Sequence, residues 1–375
     1  MAGIYIHIPF CRQACSYCNF HFTTSLTRKN EFIGALLKEI DIQHNYLGDE
    51  TIETVYFGGG TPSLLSNEEL KTILDKIRDR FKVVNNPELT LETNPDDISE
   101  KILFDWKEAG INRLSIGIQS FFDADLQWMN RAHNARQAKE SLTLARSLFE
   151  NITADLIYGT PTLSDENWKY NVDQILEAGV PHISCYALTV EPKTPLNKLI
   201  KLGKVQDVNP DRQSDQFLLL MKWLEENGYE HYEISNFAKP GFRSRHNSSY
   251  WQGKKYLGLG PSAHSFDGSS RQWNIANNNT YISSLQNNIL SFEKETLTLN
   301  QQLNEYIMTS LRTMEGLSLA RVNEKFGNEL LNKITTASEE FIVSNKMIRT
   351  SNDFLILTKE GKLLADGIAS ELFII

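Results

Sequence analysis

The chain has 375 residues, of which 41% are hydrophobic, and it carries a formal net charge of −9. Binding to phosphate backbones requires a clustered excess of Lys and Arg, so this acidic balance argues against nucleic acid as a partner. We find no apolar run of the roughly 20 residues that span a bilayer and no signal pattern before the first predicted strand, so we expect no transmembrane segment and a cytoplasmic location.

The first half of the chain alternates short β-rich runs with helical patterns. The predicted strands cover residues 3–8, 54–57, 88–92, 113–118, 152–157 and 182–188. Repeated βα units demand parallel strands with crossover helices, which suits a doubly wound sheet or an open barrel. The chemically suggestive residues all follow or end a predicted strand, which favours a site on the C-terminal face of a barrel. We therefore predict an α/β fold, a partial (open) parallel barrel of about six βα units over residues 1–195.

After residue 195 the alternation breaks down. A predicted helix at 211–227 and a predicted strand at 231–234 precede a Gly-rich stretch at 245–265 and an Asn-rich predicted loop at 274–279, and we assign 196–296 to an extension of the barrel. From 297 onward, helical patterns at 303–314, 319–326 and 329–344 precede two short strands within 347–357, joined by a turn at Ser351-Asn352-Asp353. This order predicts a smaller, winged-helix-like C-terminal domain over 297–375.

Three of the four cysteines lie in the segment Cys11-Arg-Gln-Ala-Cys15-Ser-Tyr-Cys18. Disulfides between such close neighbours would close very small loops, so metal ligation is the better interpretation. A loop with this spacing can wrap three thiolates around a 4Fe-4S cluster and leave one iron open. Zinc usually takes four ligands, and only His7 or His21 offers a fourth here, so a zinc site is the weaker alternative.

The Cys-x3-Cys-x2-Cys run after the first strand resembles the motif of radical S-adenosylmethionine (SAM) proteins. The resemblance implies that the open iron chelates the amino and carboxylate groups of SAM, and that the reduced cluster cleaves SAM to a 5′-deoxyadenosyl radical. It also implies a low-potential electron donor of the flavodoxin or ferredoxin type. Gly58-Gly-Gly-Thr-Pro62, where missing side chains let a ligand approach the backbone, resembles the family's motif for the SAM amino group.

Two segments, Ile4-Tyr-Ile-His-Ile-Pro-Phe-Cys11 and Phe57-Gly-Gly-Gly-Thr-Pro62, resemble the branch that contains oxygen-independent coproporphyrinogen III oxidase and the HemW-type heme chaperones. The resemblance implies SAM contacts at Tyr5, Tyr17, Gly59, Gly60, Thr61, Glu92, Gln119, Arg131, Asp155 and Ala187. The carboxylates suit ribose hydroxyls, and Arg131 suits the SAM carboxylate. Each position also has an ordinary structural interpretation, such as a helix cap for Asp155 or a solvated charge for Arg131.

Two departures favour the chaperone subgroup over the oxidase. The oxidase pattern continues with a fourth cysteine two positions later, where this chain has Phe20, and the chain begins almost directly at the first predicted strand, without the oxidase's N-terminal extension. Both departures match what the chaperone subgroup looks like.

A second motif, Arg245-His246-Asn247-Ser248-Ser249-Tyr250-Trp251, contains the His-Asn-x-x-Tyr pattern associated with that subgroup. Imidazole is a good axial ligand for heme iron, and a spacing of four residues places His246 and Tyr250 on one face of a helix. The resemblance therefore implies heme contacts at His246, Asn247 and Tyr250. The alternative is a structural histidine and a core tyrosine, and we expect the fourth cysteine, Cys185, to pack as a small hydrophobic residue.

The leading hypothesis is a heme chaperone that binds heme, SAM and a 4Fe-4S cluster and delivers heme to acceptor hemoproteins such as respiratory-chain enzymes. The alternative is an oxidase that uses the same SAM chemistry to decarboxylate two propionates of coproporphyrinogen III. A radical SAM enzyme for another small molecule stays open, because a fold does not determine a function. The residues themselves assign no catalytic group.

Overall fold

The computed structural model describes residues 1–374. In this part of the chain a twelve-stranded sheet has the order β12-β11-β10-β9-β1-β2-β3-β4-β5-β6-β8-β7. Its strands are β1 (Ala2–Ile8), β2 (Ile52–Gly59), β3 (Val83–Thr93), β4 (Arg113–Gln119), β5 (Asn151–Tyr158), β6 (His182–Ala187), β7 (Glu230–Glu233), β8 (Asn236–Ala238), β9 (Tyr256–Leu259), β10 (His264–Phe266), β11 (Ser270–Asn274) and β12 (Phe292–Thr296). Strands β1 to β6 are parallel neighbours, which confirms the predicted partial α/β barrel.

Helices connect the strands. They are α1 (Lys29–Ile42), α2 (Asn67–Arg80), α3 (Glu100–Ala109), α4 (Asp123–Trp128), α5 (Ala135–Leu148), α6 (Asp165–Glu177), α7 (Pro195–Lys201), α8 (Pro210–Glu226), α9 (Arg245–Trp251), α10 (Asn278–Gln286), α11 (Leu299–Leu311), α12 (Leu319–Phe326), α13 (Asn328–Val343), α14 (Lys359–Lys362) and α15 (Ala365–Glu371). The helices up to α10 pack on the twelve-stranded sheet, and α11, α12, α13 and α15 belong to a hydrophobic cluster in the C-terminal part. Across residues 1–374, none of them is long and apolar enough to cross a membrane.

Side chains along the barrel strands alternate between an apolar outer face and a polar inner face. In β1, Ile4, Ile6 and Ile8 belong to the main hydrophobic core, whereas Tyr5 and His7, between them, hydrogen bond to each other. The same alternation runs through β2 to β6, where Cys185 lies in the hydrophobic core as predicted. The barrel interior is therefore polar, and the helices bury the opposite face.

The extension beyond residue 195 contains more regular structure than the sequence predicts. Strand β9 pairs in parallel with β1, and β8 pairs antiparallel to β6, so added strands flank both edges of the six-stranded core. The prediction of a loop over residues 274–279 is wrong at both ends. Asn274 still belongs to β11, and the Asn277 side chain accepts a hydrogen bond from the Thr280 amide and so starts α10 at Asn278.

The C-terminal part has a hydrophobic cluster of its own, and its three strands, as far as residue 374, form a separate sheet. These strands are β13 (Leu317–Ser318), β14 (Met347–Arg349) and β15 (Phe354–Leu357). The order α11, β13, α12, α13, β14, β15 is that of a winged helix, as predicted. The boundaries at 195/196 and 296/297 stay a prediction, since β7 to β12 continue the sheet of the barrel.

A buried carboxylate fastens the extension to the barrel. Glu39 of α1 is fully buried and accepts hydrogen bonds from the Gly260 amide at 2.8 Å, from Asn274 Nδ2 at 2.6 Å and from the Tyr281 hydroxyl at 2.5 Å. Burial raises the pKa of Glu39 to about 7, because the low-dielectric surroundings disfavour the charged form more than these three donors favour it.

This raised pKa predicts a specific loss of stability with rising pH. Glu39 is neutral in both states below its unfolded pKa of about 4.5 and ionised in both above about 7, so its contribution to stability falls by about 3 kcal/mol between those values. We expect Glu39→Gln to remove that part of the pH dependence, measured by urea unfolding from pH 4.5 to 8. The exposed Glu324→Gln is the matched control, and a Glu39→Gln profile parallel to the wild type would contradict the assignment.

Candidate functional site

A cavity of about 440 Å³ lies at the C-terminal ends of the barrel strands. It brings together most of the residues that the sequence singles out, although they come from six different βα units. The predicted residues that line it are Cys11, Cys15, Cys18, Tyr17, Gly59, Gly60, Thr61, Glu92, Gln119, Arg131, Asp155 and Ala187. Tyr5, His246, Asn247 and Tyr250 are not among the lining residues.

The loop that carries the three cysteines is fastened to the turn after α4. The Ser16 amide donates to the Met129 carbonyl at 3.0 Å, and Asn130 Nδ2 donates to the Ala14 carbonyl at 2.7 Å. Asn130 has a φ of 56°, a left-handed conformation that Asn tolerates better than most residues. Within residues 1–374 no three His, Cys, Asp or Glu side chains are arranged to hold a single metal ion.

Arg131 joins this loop to the barrel wall. Its guanidinium donates to Cys15 Sγ at 3.3 Å, to Asn94 Oδ1 at 2.6 Å and to the Gly117 carbonyl at 2.9 Å. A Cβ on Gly117 would lie 3.1 Å from the guanidinium, so the missing side chain makes room for it. The buried Nε has no hydrogen-bond partner in the described structure, and this free donor fits a bound anionic group such as a carboxylate.

The glycine motif packs against the end of β1. Gly59 has a φ of 108°, and a Cβ there would lie 2.5 Å from the His7 ring, while a Cβ on Gly60 would lie 2.7 Å from the Phe10 carbonyl. Only glycine fits both positions. The motif thus places its backbone beside the cysteine loop and inside the cavity, where a ligand can approach it closely.

Two carboxylates, those of Glu92 and Asp155, line the cavity on the side of the barrel interior. Glu92 accepts hydrogen bonds from the Tyr56 hydroxyl at 2.8 Å and from the Gly59 amide at 3.2 Å, and Ser115 Oγ donates to both oxygens of Asp155. Burial, with a smaller contribution from nearby Glu92, raises the pKa of Asp155 to about 7. Burial raises the pKa of Glu92 as well. Both groups can bind ligand hydroxyls, since a carboxylate accepts hydrogen bonds and a carboxylic acid also donates one.

The strand ends supply further lining residues that the sequence motifs do not indicate. Asn94, Ser115, Gly117 and Tyr186 also line the cavity. The two-residue repeat of a strand could have found two of them. Asn94 lies two residues after Glu92 and Gly117 two residues before Gln119, so each is expected on the same face as its predicted neighbour. Gln119 itself has a φ of 65°, a strained conformation for a residue of its size and one that clusters at functional sites.

The predicted heme-contact residues lie elsewhere, at the opposite end of the barrel. Helix α9 does place His246 and Tyr250 on one face, and His246 Nε2 lies 2.9 Å from the Tyr250 hydroxyl. That face points inward, so His246 is only 1% exposed and its Nδ1 lies 2.8 Å from Thr54 Oγ1. Asn247 is half-buried. Tyr5 lies between the two ends, with its ring stacked on that of Tyr56.

Comparison with known proteins identifies the class. Residues 5–175 match the model of the radical SAM superfamily, and residues 297–364 match the HemN C-terminal domain. Among solved structures, coproporphyrinogen III oxidase (HemN) from Escherichia coli superimposes with a TM-score of 0.84, covering 99% of this chain and 90% of the other at 21% identity. This likeness shows a shared fold.

Comparison with curated proteins narrows the class to a family. The chain is 33% identical over 372 residues to heme chaperone HemW of Bacillus subtilis, covering 98% of both proteins. It is 34% identical to heme chaperone HemW of Mycobacterium tuberculosis, covering 99% of this chain and 94% of that protein. The chain therefore belongs to the radical SAM superfamily and, within it, to the family of the HemW-type heme chaperones.

The anchoring of the cysteine loop predicts that Asn130 controls retention of the cluster that the family implies. In Asn130→Gly the left-handed backbone is relieved, but the hydrogen bond to the Ala14 carbonyl, worth about 1 kcal/mol, is lost. We expect iron to leave the anaerobically reconstituted protein roughly fivefold faster. The measurement is the decay of iron-sulfur absorbance in the presence of a chelator.

The matched control for this variant is Asn345→Gly, because Asn345 also has a left-handed φ, of 58°, but is exposed in the C-terminal part. Equal rates of iron loss from Asn130→Gly and the wild type would show that the turn after α4 does not hold the loop.

Proposed function

We propose that this chain is a heme chaperone that holds SAM and a 4Fe-4S cluster in the barrel cavity, binds heme, and transfers it to acceptor hemoproteins. The observation that carries the proposal is the similarity to relatives named heme chaperone HemW over nearly the whole of both chains. The cavity adds support, because it combines three clustered thiols with polar groups suited to SAM.

In this proposal Cys11, Cys15 and Cys18 ligate the cluster, and the surrounding residues orient SAM. Arg131 pairs with the SAM carboxylate through its free Nε, while Glu92 and Asp155 bind the ribose hydroxyls. The backbone of Gly59, Gly60 and Thr61 contacts the methionyl amino group. Tyr17, Gln119 and Ala187 complete the cavity wall. Tyr5 stacks on Tyr56 and holds its ring in place. The bound cluster and SAM would supply one-electron chemistry, and the protein positions them and excludes water.

The charge of the cavity favours the chaperone over the oxidase. Glu92, Asp155 and Glu191 line it, and among its described lining residues Arg131 is the sole Lys or Arg. Coproporphyrinogen III carries several propionates, and like charges in a low-dielectric site repel strongly. A substrate of this charge would need cationic partners that the cavity wall lacks in the described structure. A cationic sulfonium such as that of SAM fits the same surroundings.

Heme contact at His246, Asn247 and Tyr250 remains part of the proposal, with one structural requirement. Both ring nitrogens of His246 already hydrogen bond inside the barrel, to Thr54 and Tyr250. Ligation of heme iron therefore requires the imidazole to leave at least one of these partners. Burial lowers the pKa of His246 to about 3, so the ring is neutral and its nitrogen lone pair is free to ligate once it is exposed.

Two kinds of protein partner complete the proposal. An electron donor of the flavodoxin or ferredoxin type would reduce the cluster, and hemoproteins, such as those of a respiratory chain, would receive the heme. The location that we propose is the cytoplasm.

The heme-contact proposal predicts a selective loss of heme binding on His246→Ala. We expect the heme dissociation constant of the reconstituted protein to rise at least about tenfold, equivalent to 1.4 kcal/mol, measured by optical titration. His182→Ala is the matched control, since His182 is also fully buried in the barrel with both ring nitrogens bonded, to Thr153 and Tyr232. Equal losses in the two variants would show a general effect of destabilisation and remove the support for ligation by His246.

A parallel assay separates the chaperone from the oxidase. Anaerobic protein with cluster, SAM and reductant should bind heme stoichiometrically and leave coproporphyrinogen III unchanged. Conversion to protoporphyrinogen IX with consumption of SAM, and no specific heme binding, would make the chain an oxidase and overturn the proposed function.

A further inference from the structure

One side chain touches both of the predicted cofactor regions. The Tyr56 hydroxyl donates to Glu92 Oε1 at 2.8 Å, at the floor of the cavity. The ring of the same residue stacks on His246 with centroids 5.0 Å apart and planes inclined by 25°. Tyr56 is 8% exposed, so its surroundings allow it little freedom.

Strand β2 carries this connection along its length. Gly59 at its C-terminal end donates its amide to Glu92, and Thr54 near its start hydrogen bonds to His246. Tyr56 lies between them, on the same face of the strand as Thr54, as the period of two requires. The strand therefore runs from the cavity to helix α9.

Two glycines leave room for the stacked rings of Tyr5, Tyr56 and His246. A Cβ on Gly58 would lie 2.9 Å from the rings of Tyr5 and Tyr56 and 3.0 Å from Glu92 Oε1. A Cβ on Gly3 would lie 2.8 Å from Thr54 Oγ1 and 3.2 Å from the His246 ring. Neither glycine has a positive φ, so each is required by close approach and not by a turn.

We propose that Tyr56 is a positioning residue that couples occupancy of the cavity by SAM to the conformation of helix α9. A ligand hydroxyl that donates to Glu92 Oε1 shares this oxygen with the Tyr56 hydroxyl and so changes the strength and direction of its hydrogen bond. A shift of the phenol then changes its stacking on His246. The heme-related part of this coupling rests on the proposed function, whereas the link between cavity and helix does not.

A ligand shifts an equilibrium only as far as its affinity differs between two states, and the coupling is reciprocal. Here the two states are the observed one, with His246 bonded to Thr54 and Tyr250, and one in which α9 has loosened its hold on the barrel. SAM at Glu92 changes their ratio through Tyr56, and an occupant of α9 changes the affinity for SAM by the same factor.

The first test is hydrogen exchange of the α9 amides in cluster-loaded protein, with and without SAM and with no reductant present. In the wild type we expect SAM to change the exchange rates of α9 by about fivefold or more. In Tyr56→Phe, which keeps the stacked ring and loses the hydroxyl, we expect the change to fall to less than about twofold. Tyr158→Phe, a buried phenol in β5 that packs on Trp168, is the matched control and should keep the full response.

The outcomes decide the proposal without reference to heme. A SAM response equal in Tyr56→Phe and wild type, or absent from wild-type protein that binds SAM, overturns the coupling. The second readout is the heme dissociation rate with and without SAM, which should differ by a similar factor in wild type and not in Tyr56→Phe. If wild-type protein binds no heme but still shows the exchange response to SAM, the proposed function is contradicted and the coupling between the cavity and α9 is retained.

Discussion

The polar interior of the barrel is the constraint on which the rest of this structure depends. An inward polar group must find its partner in the next strand, because a buried donor or acceptor left unpaired costs about 1–3 kcal/mol. A chain of hydrogen bonds from Arg113 to Thr153, His182 and Tyr232 provides such partners across β4, β5 and β6 and reaches β7, although Arg113 Nε has no partner in the described structure. Strand register is thereby fixed from inside, while the apolar outer face fixes only which side meets the helices.

Charge inside the barrel is balanced over several residues. Arg113 is 1% exposed, and it lowers the pKa of both Glu92 and Asp155, whose burial acts in the opposite direction. Burial lowers the pKa of both His182 and His246, and the same guanidinium lowers it further, so both imidazoles stay neutral. Arg113 thus acts on both sets of buried groups. It favours the charged forms of Glu92 and Asp155 beside the cavity and the neutral forms of His182 and His246.

Local signals predicted the barrel strands and their connecting helices well, and the long-range contacts poorly. The start of helix α2 has a local signal, because Ser66 and Glu69 form a capping box whose spacing is visible in the sequence. The cysteines and the glycine motif were expected to meet, since both follow parallel strands. The pairing of β9 with β1 has no local signal, because it joins Ile4 to Leu257. Likewise the spacing of His246 and Tyr250 predicts a shared helix face, and only the fold decides that this face is buried.

The burial of His246 sets an energetic scale for any ligand that uses it. If the imidazole leaves both Thr54 and Tyr250, two hydrogen bonds are broken, which together are worth about 2 kcal/mol. That difference leaves only about one molecule in thirty competent to ligate, and the apparent affinity falls by the same factor. Glu88 also accepts hydrogen bonds from the amides of Arg245 and His246, so a second contact holds the start of α9 to β3. A ligand that used His246 would therefore have to offset this cost, and return of the ring to Thr54 and Tyr250 would favour its release.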